Sequence, residues 1–187
     1  MLKDIKAVLC LDIDGTLTDH QEKIHPNDVR LLNGFPHSIQ PIITTGRHLP
    51  AAKGVLQSNG IFQDRQLPLP LVLINGGAAY FPGERLFLQH SFSADVLDEI
   101  TRLARQFQGT TFGFFTLDTA YLVNPTPFSR HLSKIHYLSS KECQAGDIPG
   151  GINKVMVMER DLDKIQNIKE GAKAINAEIT TSLPYLL

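Results

Sequence analysis

The sequence predicts an α/β protein: a parallel-sheet first half followed by a smaller α+β layer. Three observations predict it. Short strand-like runs at residues 7–11, 40–43 and 71–74, apolar apart from Gln40, alternate with helix-like segments in the first half. Runs of this length bounded by turn residues read as buried strands, and strand–helix–strand order implies parallel pairing with right-handed crossovers. Each run ends in small or polar residues: Asp12-Ile13-Asp14-Gly15-Thr16, Thr44-Thr45-Gly46-Arg47 and Asn75-Gly76-Gly77. Beyond Pro82-Gly83 the alternation gives way to a different pattern, so a boundary is expected there, with domains at 1–83 and 84–187.

Taken in order, the first strand leads straight into the acidic loop. Pro26 suits a first helical turn, Val29, Leu31 and Leu32 supply its apolar side, and Gly34 ends it. The second strand follows at 40–43. Pro50 opens another helix carrying Ala51, Ala52, Val55 and Leu56, with Gly60 beyond its end. The third strand, 71–74, completes the first half.

In the second half Ser93 is placed to N-cap a helix bearing Val96, Leu97, Ile100, Leu103, Ala104 and Phe107. Residues 110–115 and 120–123 read as strands joined around Asp118. The stretch 125–151 is rich in turn residues and its pattern resolves no element. Residues 153–158 read as a strand, Asp161 caps a last helix bearing Leu162, Ile165, Ile168, Ala172 and Ile175, and 178–187 is extended. Phe112 and Phe114 share one strand face and read as packing, with a substrate-facing wall as the alternative.

Composition narrows the function. The chain has 187 residues, enough for one ordinary domain or two small ones. At 42% hydrophobic and 20% charged, with net charge -1, it carries no basic excess that would point to nucleic acid or an anionic membrane. Its two cysteines, Cys10 and Cys143, form no disulfide framework pattern, and Cys10 is expected in a buried strand, so a cytoplasmic protein is expected. The apolar stretch 67–74 is broken by Pro68 and Pro70, so no membrane span is expected. The histidines lack metal-ligand spacing, and His20, His25, His48 and His90 are expected at the surface or in loops.

Chemistry concentrates at the three strand ends. Asp12 and Asp14 would stand at the carboxyl end of the first strand, where open α/β sheets bind ligands. Two neighbouring carboxylates repel and are costly to desolvate, and a hard divalent cation such as Mg²⁺ relieves both problems. A solvated Asp-Gly turn closing a hairpin is the plainer reading. It is weakened because Thr16 and Leu17 extend the string to one expected by chance in fewer than about one in a thousand such chains. Thr45 offers a hydroxyl, Gly46 allows close backbone approach, and Arg47 is a candidate bidentate phosphate ligand or else a solvated charge.

With these strings in place, the sequence resembles the haloacid dehalogenase (HAD)-superfamily phosphatases of the Cof type. Leu11-Asp12-Ile13-Asp14-Gly15-Thr16-Leu17 matches that family's first motif, Ile43-Thr44-Thr45-Gly46-Arg47 its second, and Asn75-Gly76-Gly77 the string after its third core strand. The resemblance implies a Rossmann-like parallel-sheet core with an inserted α+β cap domain. Asp12 would be the nucleophile forming an aspartyl-phosphate, and Asp14 the general acid and then base. Mg²⁺ would bind the Asp12 carboxylate and the Asp14 backbone carbonyl. Thr45 would hold the phosphoryl group and Asn75 would lie near the phosphate or leaving group, with Gly46, Arg47 and Gly76 as further phosphate- or substrate-binding candidates beside them. Asp12 and Thr45 are 33 residues apart (45 − 12), which leaves no room for a cap between them and places it after residue 83. The implied substrate is a small phosphorylated metabolite, sugar phosphate-like.

Two parts of the family pattern are not recognisable: the Lys of the third motif and the acidic Gly-Asp-x-x-Asn-Asp string of the fourth. Neither Lys154, Lys164 nor Asp147 replaces them. The core is therefore expected to be incomplete, with the Asp12 strand left at an open sheet edge through which the chain could self-associate. A truncated longer phosphatase is the favoured explanation and a natural short form the other. The alternatives to a phosphatase are a non-catalytic binding form, or a phosphotransferase or mutase using the same nucleophile.

Overall fold

The structure is a computed structural model and describes residues 4–61, 67–135 and 139–175. The chain divides into two compact units, Met1–His90 and Ser91–Leu187. The first holds β1 (Ala7–Asp12), α1 (Pro26–Asn33), β2 (Ile39–Thr44), α2 (Leu49–Ser58), β3 (Leu71–Leu73), β4 (Ala78–Phe81) and β5 (Arg85–Gln89). Its sheet runs in the order β1-β2-β3-β4-β5. β1 and β3 pair parallel to β2, and Asp12 lies opposite Thr44, so the ends of β1 and β2 are level. β3, β4 and β5 pair antiparallel.

Local chemistry explains the helices. Pro26 sits in the first turn of α1, where its missing N–H costs nothing, and His25 accepts a hydrogen bond from Asn27 N–H at 3.2 Å. The α2 face formed by Ala51, Ala52, Val55 and Leu56 is fully buried and shares the core with Ile13, Ile43, Ile61, Leu71 and Leu73.

β1 corrects the expectation of a buried strand. Its residues are exposed except Leu11, which is half-buried, and Cys10 is exposed. Val8 and Leu9 point to opposite faces and are 58% and 39% exposed. The cause is position. β1 is the edge of its sheet, with β2 on one side only, whereas a parallel strand is buried when elements cover both faces and both edges.

The Pro82-Gly83 signal proves to be the turn of the β4–β5 hairpin, which keeps β5 on the first sheet. The first unit therefore extends to His90 rather than to residue 83. Gly83 (φ 77°) and Glu84 (φ 56°) make the turn, and Glu84 is anchored by Lys53 Nζ at 2.8 Å and Leu67 N–H at 2.9 Å.

The second unit holds α3 (Ala94–Gln106), β6 (Thr111–Phe115), β7 (Ala120–Val123), α4 (Pro127–Ile135), β8 (Ser140–Glu142), β9 (Lys154–Met158) and α5 (Leu162–Lys173). Its sheet runs β8-β7-β6-β9, with β6 antiparallel to both neighbours and β7 parallel to β8. Phe112 and Phe114 are core residues packed with Ile100, Ala104, Val123, Val157 and Ile168, so they form no open wall. Phe115 points the other way, into a cluster with Ala120, Leu122, Leu132 and Met158. The Asp161 cap forms as expected, accepting from Asp163 and Lys164 N–H. α4 and β8 occupy the stretch whose sequence pattern resolved no element. The extended segment expected at 178–187 lies outside the described residues.

Candidate active site

After β1 the chain curls sharply. Leu17 N–H donates to Asp12 O at 3.2 Å, and Thr18 gives both its N–H and its hydroxyl to Ile13 O, each at 2.9 Å. Gly15 (φ 73°) permits the turn, and buried Ile13, Leu17 and Thr18 pin it to the core. Asp12 is thereby held at the strand end, with its Oδ1 accepting Ile13 N–H at 2.8 Å. Asp14 projects from the turn and is exposed.

The ends of β2 and β3 are tied together by backbone bonds. Thr45 N–H donates to Val72 O, Asn75 N–H to Thr45 O, and Ile74 N–H to Arg47 O, at 2.9 to 3.2 Å. Thr45 is buried, and its hydroxyl accepts Arg47 N–H at 3.2 Å. Gly46 is needed for close approach, though the neighbour is a side chain of the protein. A Cβ there would sit 2.6 Å from Asn75 Oδ1. The second and third strings are thus in contact through Gly46 and Asn75. Ile74, Asn75 and Gly76 have φ of 57°, 53° and 92° in succession. For β-branched Ile74 that is a strained conformation, of the kind that collects at functional sites.

Arg47 is where the sequence expectation and the geometry part company. Its Nε and Nη2 grip Asp14 Oδ2 and Oδ1 at 2.9 and 2.7 Å, and Nη2 also reaches Glu22 Oε1 at 2.5 Å. The guanidinium expected to bind phosphate is therefore engaged by two carboxylates. Burial works against its charge, but the hydrogen bonds to Asp14 and Glu22 outweigh that and hold its pKa above the ordinary value. Its side chain is 9% exposed, and Nη1 is buried without a hydrogen-bond partner among the described residues.

The sequence reading missed Glu22 and Asn59. Asn59 closes α2 and bonds the loop that carries Glu22, with Nδ2 donating to Glu22 O at 2.9 Å and Oδ1 accepting Ile24 N–H at 3.0 Å. Glu22 lies in an ordinary polar string, and the one local cue is Asp19, whose carboxylate folds the turn by accepting Gln21 and Lys23 N–H. His48, expected at the surface or in a loop, lies in the loop before α2 but is buried.

No group of three or more His, Cys, Asp or Glu placed to share a metal ion occurs among the described residues. A Mg²⁺ ion needs less from the protein, since it keeps several waters and takes one or two carboxylates plus phosphate oxygens. Asp12 suits that demand, because its bond to Ile13 N–H uses one carboxylate oxygen. Asp14 has each side-chain oxygen bonded to Arg47, so its backbone carbonyl rather than its carboxylate is the group left to meet the ion. Among the described residues, no helix is long and apolar enough to cross a membrane.

A family model described as haloacid dehalogenase-like hydrolase matches residues 9–187. An uncharacterized hydrolase of Schizosaccharomyces pombe is 28% identical over 105 residues, covering 52% of this chain and 32% of that protein. Among solved structures, a haloacid dehalogenase-like hydrolase from Bacteroides thetaiotaomicron superposes with a TM-score of 0.80 at 16% identity, over 97% of this chain and 69% of its own. TM0651 from Thermotoga maritima gives 0.77 at 17%, covering 96% and 67%. The HAD subclass IIB sugar phosphatase BT4131 gives 0.71 at 18%, covering 96% and 68%. At these identities the structures report a shared fold, and the chain spans about a third of the curated relative's length.

Proposed function

The chain belongs to the haloacid dehalogenase-like hydrolases, and on that premise we propose that it is a Mg²⁺-dependent phosphatase for a small, sugar phosphate-like metabolite. The observation that carries the reading is the alignment of strand ends. Asp12 and Thr44 are level across β1 and β2, Thr45 follows at once, and Asn75 packs on Gly46. A carboxylate, a buried hydroxyl and an amide thus gather at one sheet edge.

In the proposed reaction an Asp12 carboxylate oxygen attacks phosphorus, and the bond from phosphorus to the leaving oxygen breaks. Asp14 gives that oxygen its proton. Water then attacks the aspartyl-phosphate, Asp14 takes a proton back, and phosphate departs. Thr45 and Asn75 orient the phosphoryl oxygens. Mg²⁺, held by the Asp12 carboxylate and the Asp14 backbone carbonyl, would offset the charge of phosphate facing carboxylate. Arg47 acts mainly on Asp14 in this scheme, because its donors are already engaged there. The second unit, proposed as a cap, would select the leaving group. BT4131, described as a sugar phosphatase, supports the substrate class.

The test is phosphate release from a panel of sugar phosphates with Mg²⁺. Activity that Asp12→Asn abolishes is the expected result. A wild-type chain as inert as Asp12→Asn across metals and substrates refutes the reading.

A further inference from the structure

The loop between β1 and α1 is built with unusual care for a surface segment. Glu22 adopts φ 57°, in the left-handed region that residues other than Gly, Asn and Asp seldom occupy. Several bonds impose this conformation. Glu22 N–H donates to Asp19 O at 3.1 Å, and Asp19 N–H donates to Lys23 O at 2.9 Å. The Asp19 carboxylate accepts the N–H groups of Gln21 and Lys23 at 2.8 and 2.9 Å. These last bonds hold the Asp19 carboxyl below its ordinary pKa. From the other side Asn59 clamps Glu22 O and Ile24 N–H, and its Nδ2 also donates to Val55 O at 2.8 Å, fixing the clamp to α2. Backbone strain held in place by surrounding bonds points to a functional constraint on the side chain it aims.

That side chain goes to Arg47. One nitrogen, Nη2, joins Glu22 Oε1 at 2.5 Å to Asp14 Oδ1 at 2.7 Å. The partners differ in freedom. The Asp14 side chain is 54% exposed on a turn, whereas that of Glu22 is 19% exposed on a clamped loop. The fixed carboxylate therefore sets the plane of the guanidinium, and the guanidinium sets Asp14.

We propose that Glu22 is a positioning residue for the acid–base step, acting through Arg47 on the orientation of Asp14. This rests on the phosphatase reading for its catalytic meaning, though the Glu22–Arg47–Asp14 chain itself does not. Near this chain in sequence stand Asp12, at the start of the Asp14 turn, and Asp19 and Lys23 on the Glu22 loop.

Two readouts test it. The first needs no turnover: water exchange at the Arg47 Nη2–H groups, followed by ¹⁵N NMR. Glu22→Gln should speed that exchange roughly tenfold, the weight of one charge-assisted hydrogen bond, and Asn59→Ala should speed it less, since it loosens the clamp but keeps the carboxylate. Unchanged exchange in Glu22→Gln, with the fold intact, overturns the proposal. The second is the leaving-group dependence of kcat. Glu22→Gln should slow a sugar phosphate, which needs a proton on its leaving oxygen, far more than p-nitrophenyl phosphate, which does not. Glu22→Asp should restore part of the difference. Equal losses on both substrates would mean a purely structural residue and overturn the proposal. A wild type that turns over neither substrate refutes the phosphatase reading, and the exchange measurement then decides the role of Glu22 alone.

Discussion

β1 and β6 are both short apolar strands, and their surroundings could hardly differ more. β6 is buried at all five positions, with β7 and β9 on its edges and a hydrophobic cluster on each face. β1 has one neighbour, and Val8 and Leu9 meet solvent on opposite faces. β6 packs the core of its unit on both faces. β1 contributes little burial but ends in Asp12 and the turn that presents Asp14. In the proposed account stability and reactivity thus sit on different strands, and an apolar run by itself distinguishes neither.

The largest expected effect on stability is at β6. Phe114 is fully buried, so Phe114→Ala should cost about 3–5 kcal/mol by denaturant unfolding. A cost under about 1 kcal/mol would break the contrast. Next comes Gly46→Ala, which forces Asn75 Oδ1 away from 2.6 Å and should cost about 1–3 kcal/mol. Combining it with Asn75→Gly should recover most of that loss, and additive losses would show that the contact is not the cause.

A pH effect separates the units further. Burial works to raise the pKa of Glu159, beside β9. Hydrogen bonds from Thr110 Oγ1 at 2.5 Å and from the Arg160 and Asp161 N–H groups outweigh this and hold it low. A depressed carboxyl adds stability above its ordinary value of 4.5 and loses that contribution as pH falls below it through the folded value. Glu159→Gln should therefore flatten the acid loss of stability in the second unit. An unchanged slope would count against the pairing. The smallest effect is at β1, where Val8→Thr should change stability by less than about 0.5 kcal/mol. A larger loss, or a change in oligomeric state, would mean that the open edge is covered in solution.

Some of this was legible in the sequence because it is local. Asp12-Ile13-Asp14-Gly15-Thr16 is contiguous, Pro26 and Pro50 mark first helical turns, and Asp161 caps the helix that begins at Leu162. The parallel order of β1, β2 and β3 follows from helices between apolar runs. The features that escaped depend on partners distant in sequence. The open edge at β1 was expected from the missing family motifs, but how far Val8 and Leu9 are exposed on its faces depends on the elements packed beside the sheet, not on those residues. The Pro82-Gly83 turn looked like a boundary because a hairpin and a linker share turn chemistry. Arg47 could be named as a functional residue, but its partner Glu22 lies 25 positions earlier in an ordinary polar string, held by a helix-terminal Asn59. No local pattern announces a glutamate with positive φ.

The central claim is that the end of β1 carries a nucleophile that takes up a phosphoryl group. It is tested most directly by acid-quenching the protein with Mg²⁺ and a turned-over phosphoester and locating covalent phosphate by mass spectrometry. The account predicts an acid-stable, hydroxylamine-labile phosphoryl group on Asp12 that is absent in Asp12→Asn. Phosphate release that persists unchanged in Asp12→Asn, with no label on Asp12 in the wild type, would contradict it.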